Sequence, residues 1–261
     1  MSVRSGTGPD LLDEVPAAWR ADPMLVQRRQ EWLGSRVTGD GAAVVVTSPA
    51  PHRVTALGDP AAVAVLAPAA LADLAPGSVA VLTVPRGTEL PAAALERAGV
   101  GPSSTWDWML TDGPAPAPPA HVAVRPLDPA ADADAVRACL QEANPRSTAD
   151  PLAPGTAGWW GVEGPEGTLD AVVGAERRPG PGARETWHLH GLGVRPHRRR
   201  GGLGSALTAA ATRDALAAGA AFVSLGLYAD NDAARRVYER LGFRTHARFA
   251  SLRPVPAPGC A

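Results

Sequence analysis

The feature that most constrains this chain is a basic, glycine-rich turn set between a strand pattern and a helix pattern. Residues 187–194 have the pattern of a strand, residues 195–202 are rich in arginine and glycine, and an Ala- and Leu-rich helix pattern begins at Leu203. Glycine lets the backbone approach an anion closely, and the free amides and dipole at a helix start favour negative charge. This order predicts a phosphate-binding loop.

The spacing of the loop residues narrows the class of ligand. No Gly-Lys-Ser/Thr follows, which excludes the Walker loop, and the glycines are not spaced as in the dinucleotide-binding Gly-x-Gly-x-x-Gly. Arg199, Gly202 and Gly204 fit the signature Arg/Gln-x-x-Gly-x-Gly/Ala. In this the chain resembles the GCN5-related N-acetyltransferases (GNAT superfamily), where the loop holds the pyrophosphate of acetyl-coenzyme A (acetyl-CoA). The alternative is a basic helix cap that contacts solvent.

Length and composition predict two domains. The chain has 261 residues, 45% of them hydrophobic, which is enough for two cores of ordinary size. Residues 112–120 are rich in proline and alanine and have the composition of a stiff, extended linker. We therefore expect an N-terminal companion domain over residues 1–111 and an acetyltransferase domain over residues 121–261.

The companion domain shows helix and strand patterns in an α/β order. Two helical pieces are expected between Asp10 and about Arg36, and Asp59-Pro60 predicts the start of a later helix. Strand patterns lie at residues 43–47, 53–57, 78–84 and 104–110. One interpretation of this smaller domain is a degenerate copy of the GNAT fold. Nothing in it matches the phosphate loop, so we do not expect it to bind the cofactor.

The second domain has the order of elements that the resemblance implies. Its patterns run β-α-β-β-β-α-β-α-β over about residues 121–253, beginning with a strand at 122–127 and a helix over 128–143. The resemblance implies the mixed α/β sheet of the acyl-CoA N-acyltransferases, which is the GNAT fold. It also implies that the loop at 144–158 borders the acceptor.

Charge and cysteine content argue against several function classes. The formal net charge is −1, so neither nucleic acid nor an anionic membrane is an expected partner, and no stretch approaches membrane-spanning length. Cys139 and Cys260 lie far apart and suit neither a disulfide framework nor a metal site. We expect a cytoplasmic monomer or homodimer that uses no metal.

Two histidines in the strand before the loop are candidate bases. His188 and His190 are two residues apart, so both project from one face of a strand. An alkylamine has a pKa of about 10.4 and an imidazole one of about 6.5, so an imidazole suits removal of the amine proton at neutral pH. The string from His188 to Val194 resembles strand four of arylalkylamine N-acetyltransferases, whose two histidines relay the amine proton through water. The alternative is a pair packed or hydrogen-bonded within the sheet.

The resemblance offers a second kind of base that this strand lacks. In other GNAT members a glutamate stands where His188 falls. The nearest acid in this strand is Glu185, three residues earlier, and that spacing does not align it with the family's glutamate.

A tyrosine in the last helix pattern is the candidate acid. Residues 231–243 match the family's Asn-x-x-Ala-x-x-x-Tyr-x-x-x-Gly-Phe pattern. Ala234, Val237 and Leu241 form an apolar stripe with Tyr238 at its edge. The resemblance implies that this phenol reaches the coenzyme sulfur and donates a proton to the departing thiolate. The alternative is a tyrosine packed at the helix edge with its hydroxyl in water.

The resemblance also implies the contacts with the coenzyme. Asn231 caps the last helix and touches the coenzyme, and the backbone of residues 192–194 pairs with the pantetheine arm as an extra strand would. The predicted cofactor-binding residues are Leu192, Val194, Arg199, Arg200, Gly201, Gly202, Leu203, Gly204, Ser205 and Asn231.

Together these features predict an enzyme that moves an acetyl group from acetyl-CoA to a primary amine by direct attack. His188 or His190 is the proton acceptor and Tyr238 the general acid. The acceptor is a small-molecule or peptide amine that the sequence leaves open. Two alternatives remain: a regulatory module that binds acetyl-CoA without turnover, and a transferase of a longer acyl group.

Overall fold

The computed structural model describes residues 10–114, 116–117 and 121–255, and the chain divides into two compact units. The first unit takes in the described residues up to Asp107, Tyr228–Asp230 and the segment from Ala247 onward; the second takes in Trp108–Leu227 and Asn231–His246. The predicted domain boundaries, with the linker at 112–120, stay a prediction. Residues 115 and 118–120 of that linker, and Cys260, lie outside the described residues.

The first unit combines short helices with strands from the N-terminal part of the chain. Its elements are α1 (Leu11–Glu14), α2 (Pro23–Arg28), β1 (Arg36–Gly39), β2 (Ala43–Thr47), β3 (His52–Gly58), α3 (Pro60–Ala72), β4 (Val79–Pro85), α4 (Ala92–Ala98) and most of β5 (Val100–Thr111). Its sheet is mixed, because β3 pairs antiparallel with β2 and parallel with β4. The α/β class predicted for this region is confirmed.

Local capping chemistry sets the start of α3. The Asp59 carboxylate accepts hydrogen bonds from the amides of Ala61 and Ala62, each at 3.0 Å, and Pro60 occupies the first helical position. The buried face of α3 packs in one apolar cluster with residues of β2, β3 and β4. The predicted start of this helix is confirmed, and the helix continues through Pro68.

The region before β2 differs from the prediction. The helical segment expected to reach about Arg36 was wrong at its far end, because α2 ends at Arg28 and Arg36–Gly39 forms β1. Strand β1 pairs antiparallel with β2. A four-residue strand carries little local signal, and pairing with a neighbouring strand stabilises it.

The second unit contains the remaining helices and strands. Its elements are β6 (Arg125–Leu127), α5 (Ala133–Ala143), β7 (Thr156–Glu163), β8 (Leu169–Pro179), β9 (Glu185–Val194), α6 (Leu203–Ala217), β10 (Val223–Tyr228, up to Leu227), α7 (Asp232–Arg240) and the first part of β11 (Arg244–Pro254). This sequence of elements is the predicted β-α-β-β-β-α-β-α-β order.

The sheet of the second unit is covered on both faces. Its strands follow the order β10-β9-β8-β7-β6, with β9 and β10 parallel and the other neighbours antiparallel. Ala171, Val173 and Leu189 share one cluster with the buried residues of α6. Val172 and Trp159 share another with α5. Side chains therefore alternate between an α6 face and an α5 face.

The first strand and helix of the second unit are shorter than predicted. Strand β6 begins at Arg125 rather than at 122, and α5 begins at Ala133 rather than at 128. The Asp128 carboxylate accepts from the amides of Ala130 and Ala131, and the Asp132 carboxylate pairs with Arg125 at 3.0 Å. These carboxylates hold residues 128–132 in a turn ahead of the helix.

The described residues contain neither a helix able to span a membrane nor a cluster of metal ligands. No helix in residues 10–114, 116–117 or 121–255 has both the length and the apolar character needed to cross a bilayer. The same ranges hold no group of three or more His, Cys, Asp or Glu side chains arranged for a metal ion. Cys139 is a free, buried thiol, and burial raises its pKa to about 11, so it stays protonated at neutral pH.

We expect Leu207→Ala to destabilise the second unit strongly and Leu152→Ala to have little effect. Leu207 is a fully buried residue of α6, whereas Leu152 is 54% exposed. Removing a buried leucine side chain costs about 2–5 kcal/mol. Chemical unfolding of both variants checks this, and similar losses for the two would contradict the described packing.

Candidate active site

A β-bulge at Gly191 shapes the end of β9. Val172 pairs with Gly193 and Gly174 with His190, so two residues of β9 oppose one of β8. Gly191 has φ +61°, a left-handed conformation that glycine adopts without strain. The ladder between β9 and β10 joins Trp187–Leu189 to Val223–Leu225, and β9 continues beyond it. The two parallel strands thus separate at the bulge.

His188 lies in a polar row across three strands on the α5 face. Its neighbours Trp187 and Leu189 belong to the α6 cluster, so the imidazole projects from the opposite face. Its Nδ1 lies 2.8 Å from Ser224 Oγ of β10. Glu176 of β8 is its register partner on the other side. His188 is therefore flanked by a hydroxyl and by a carboxylate-bearing residue.

His190 occupies a tight apolar niche on the same face. Its ring meets the Trp159 ring edge-on, with centroids 5.5 Å apart. A Cβ added to Gly174 would lie 2.6 Å from the Trp159 ring, and one added to Gly191 would lie 2.8 Å from it. Burial lowers the pKa of His190, and the carboxylate of Glu176 opposes this in part. The imidazole is neutral at neutral pH, as a proton acceptor has to be.

Glu176 is a site residue that sequence reasoning missed. It shares the α5 face with both histidines, and its carboxylate also pairs with Arg178 at 2.9 Å. Part of the loop at 144–155 lies beside it, since a Cβ added to Gly155 would be 3.6 Å from the Glu176 side chain. The family resemblance predicts an acid within β9, whereas Glu176 lies on the adjacent strand β8. No short sequence motif marks it.

The loop after β9 ends in an uncapped helix start. Gly202 has φ +78° and precedes α6, and in the described part of the chain no side chain caps this helix. The amide of Ala206 bonds to the Gly202 carbonyl, so the amides of Leu203, Gly204 and Ser205 precede the first intrahelical bond. Three such amides at the positive end of a helix dipole fit a diphosphate.

Most of the basic side chains in the loop contact the protein itself. Arg195 pairs with Glu142, and its Nε donates to the Leu169 carbonyl at 2.8 Å. His197 and Arg198 lie 3.6 Å and 3.4 Å from the carboxylate of Asp170, which is 2% exposed.

The remaining two arginines of the loop, Arg199 and Arg200, differ in their contacts and exposure. Arg199 donates to the carbonyls of Val194 at 3.1 Å and of Ala143, at the end of α5, at 3.2 Å. Arg200 is exposed and has φ +65°. The guanidinium of Arg199 therefore holds the loop against α5, and its assignment as a coenzyme contact stays a prediction.

The backbone of residues 192–194 already has polar partners. Asn144 Nδ2 donates to the Leu192 carbonyl at 3.2 Å, and Arg199 bonds to the Val194 carbonyl. A carbonyl oxygen has two lone pairs, so these bonds do not by themselves exclude a further donor. Gly193 allows the end of α5 to approach, since its added Cβ would lie 3.1 Å from Ala143.

Tyr238 lies on the α6 side, away from the histidines. It is 8% exposed and belongs to the cluster that contains Leu203, with Leu192 and Val194 packed against it. Burial raises its pKa to about 12, so the hydroxyl keeps its proton. Asn231 begins α7 by accepting from the Ala234 amide at 3.1 Å, which confirms its cap role. One bound molecule can contact both the α5 face and the α6 face of the sheet at the gap where β9 separates from β10.

A surface cavity of about 400 Å³ lies at the other end of β9. Its lining includes Arg177, Arg184, Glu185 and Trp187 together with the end of α6. None of the predicted site residues lines it.

A family comparison assigns this part of the chain. Residues 134–243, which include the histidines, the loop and Tyr238, match the model described as "Acetyltransferase (GNAT) family". This segment is therefore similar to the GNAT family. The predicted recognition is confirmed for this segment.

Curated relatives match a short stretch of the chain. Mycothiol acetyltransferase of Streptomyces avermitilis is 54% identical over 55 residues, which are 21% of this chain and 18% of that protein. Mycothiol acetyltransferase of Streptomyces scabiei is 40% identical over 77 residues, 30% of this chain and 25% of that protein. The matches thus span a quarter or less of the relatives' length.

Solved structures support the fold of the GNAT domain and of the unit before it. A GCN5-related N-acetyltransferase from Kribbella flavida aligns over 94% of this chain and 96% of its own, with TM-score 0.56 and 23% identity. A tandem GNAT protein from the clavulanic acid biosynthesis pathway aligns over 96% of this chain and 91% of its own, with TM-score 0.50 and 16% identity. Likeness at this identity concerns the fold alone.

We expect His190 to titrate below the usual histidine pKa of about 6.5. A lowered pKa means that the folded state favours the neutral ring, so its contribution to stability is present above about pH 6.5 and is lost as pH falls. Histidine NMR titration of the folded protein measures the midpoint. His190→Gln is the control for stability and should lose less stability on acidification than the wild type. A midpoint at or above about 6.5 would contradict the described burial.

Proposed function

We propose that this protein is an acetyl-CoA-dependent N-acetyltransferase that acts on the primary amine of a small molecule. The observation that carries the proposal is the end of β9: two imidazoles at the point where β9 leaves β10, followed within one loop by the uncapped start of α6. Histidines that are followed along the chain by an anion site suit an enzyme that binds a thioester donor and deprotonates an amine acceptor. The GNAT family match supports the same chemistry.

The donor side consists mainly of backbone. In the proposal the amides of residues 201–205 bind the pyrophosphate, with Arg200 exposed beside them. The backbone of Leu192 and Val194 pairs with the pantetheine arm, and Asn231 lies at the start of the next helix. Because Arg199 contacts two carbonyls of the protein, its proposed contribution is to order the loop.

The acceptor side has to remove a proton. An alkylamine with a pKa of about 10.4 is mostly protonated at neutral pH and cannot attack in that form. We assign the proton to His188 or His190, directly or through water, with Glu176 close enough to stabilise the imidazolium. The neutral amine then attacks the thioester carbonyl, and the nitrogen gives up its second proton to solvent. The C–S bond breaks, and the electron pair leaves on sulfur.

Tyr238 acts on the leaving sulfur in this scheme. A phenol whose pKa is about 12 is a weaker acid than a thiol of about 8.5, so the proton stays largely on the phenol even when the thiolate forms. A hydrogen bond from the phenol stabilises the thiolate, and proton transfer from Tyr238 or solvent completes the cycle. Tyr238 is therefore the proposed acid on the α6 side of the reacting carbonyl.

The acceptor is the least determined part of the proposal. Because the Streptomyces relatives are mycothiol acetyltransferases, mycothiol-related amines are the first acceptors to test. Other small amines and peptide N-termini belong in the same screen. A cytoplasmic location and a monomeric or homodimeric state stay predictions from the sequence.

A screen of amines with release of free coenzyme A thiol tests the activity. Equilibrium binding of acetyl-CoA is measured on the same protein, and competition with longer acyl-CoAs reports the preferred chain. Tight acetyl-CoA binding without release for any amine would favour a regulatory module. A clear preference for a longer chain would favour the longer-acyl transferase, and absence of binding would refute the proposal.

We expect Gly204→Asp to weaken acetyl-CoA binding and Gly204→Ala to leave it nearly unchanged. A Cβ at position 204 would meet its nearest neighbours, Val194 and Leu192, at 3.7 and 3.8 Å, which is ordinary contact. The aspartate adds negative charge at the helix start, where it repels a phosphate yet favours the helix itself. Calorimetric binding with a thermal unfolding control separates the two effects. Equal binding by the two variants would refute phosphate binding at this helix.

We expect Tyr238→Phe to lower turnover by about tenfold or more while acetyl-CoA affinity stays within about twofold. The phenyl ring keeps the packing of this 8% exposed residue and removes the proton. Tyr228→Phe is the matched control, because Tyr228 is the other tyrosine of the chain and is 51% exposed. Unchanged turnover in Tyr238→Phe would remove Tyr238 from the mechanism.

A further inference from the structure

Ser224 is a buried serine whose hydroxyl meets the candidate base. It lies on β10 in register with His188 of β9, and its Oγ is 2.8 Å from His188 Nδ1. Its side chain is fully buried, while its neighbours Val223 and Leu225 belong to the α6 cluster. The hydroxyl therefore points to the α5 face, where the imidazole lies.

We propose that Ser224 is a positioning residue for His188, which it holds through Nδ1 so that Nε2 is the atom that accepts the amine proton. This inference rests on the proposed function. In a neutral imidazole one nitrogen carries a proton and the other accepts one. With Nδ1–H donating to Ser224 Oγ, the lone pair resides on Nε2. After proton transfer, both nitrogens are donors and the bond to Ser224 persists.

The opposite side of His188 supports the same role. Glu176 is the register partner of His188 on β8, and its carboxylate also pairs with Arg178. His190, two residues along β9, is a further titratable group on this face. The ring is thus held by a neutral group at Nδ1, and the residue paired with it on the other side carries a carboxylate.

A nucleophilic role for Ser224 is the competing interpretation of a serine–histidine contact. An attacking serine has to reach the acyl carbon, so it needs an exposed Oγ. Ser224 is fully buried, and the contact uses Nδ1. The geometry therefore favours orientation of the imidazole over covalent catalysis.

The first experiment needs no activity. Long-range ¹⁵N–¹H NMR of the full chain reports which nitrogen of His188 carries the proton, with His188→Gln to assign its signals. We expect the Nδ1–H form in the wild type and a mixture of both forms in Ser224→Ala. The matched control is Ser251→Ala, a buried serine of the first unit that bonds Thr83 and Trp106. An unchanged His188 form in Ser224→Ala would overturn the proposal.

The second experiment uses turnover. We expect Ser224→Ala to lower kcat by about tenfold, because loss of a residue that orients a metal-ligating histidine has an effect of this order. KM for acetyl-CoA should stay within about twofold of the wild-type value. The pH profile of kcat/KM should shift, and Ser224→Thr should restore part of the rate. In a His188→Gln background, Ser224→Ala should cause no further loss. A further loss there would refute action through His188.

The outcomes separate failure of this inference from failure of the proposed function. A wild type without turnover on any amine refutes the proposed function, while the NMR result still decides whether Ser224 sets the form of His188. An active wild type whose His188 ignores Ser224→Ala refutes the inference alone. If Ser224→Ala does not fold, Ser224→Cys takes its place, because a thiol of similar shape is a weak hydrogen-bonding group. It should show the same changes in smaller degree, and their absence counts against the proposal.

Discussion

At Gly191, strand β9 carries one residue more than β8, and the glycine adopts a φ that L residues with a side chain rarely take. His190 comes immediately before this position, and the backbone proposed to pair with pantetheine comes immediately after it. The loop and the start of α6 follow at once. A single backbone conformation thus places the imidazoles on one side and the uncapped amides on the other.

The proposed anion site depends less on arginine charge than the basic run indicates. Asp170, Glu142 and backbone carbonyls engage the side chains of four of its basic residues. These contacts fix the loop, which limits the conformational entropy lost when a ligand binds. In the proposed function, attraction for a diphosphate then comes largely from the oriented amides and the helix dipole at the start of α6.

Local signals explain which parts of the fold could be predicted. Asp59-Pro60 and Asn231 begin helices by contacts within three residues, and alternation along β9 places His188 and His190 on one face. The loop motif likewise lies within a short stretch. Glu176 and Ser224 could not be found in this way, because they reach His188 through the register of neighbouring strands. Strand β1 was missed for the same reason.

The contact between Trp159 and His190 has a consequence for how this sequence can change over evolutionary time. The indole fills the space that a methyl group at either 174 or 191 would require. At position 174 a larger residue requires that the indole first be replaced by something smaller and that the His190 ring, 2.9 Å from the same added Cβ, give way. At position 191 the positive φ disfavours any side chain, whatever the space. Positions 159, 174 and 191 therefore constrain one another, and the order in which substitutions arise there matters as much as their identity.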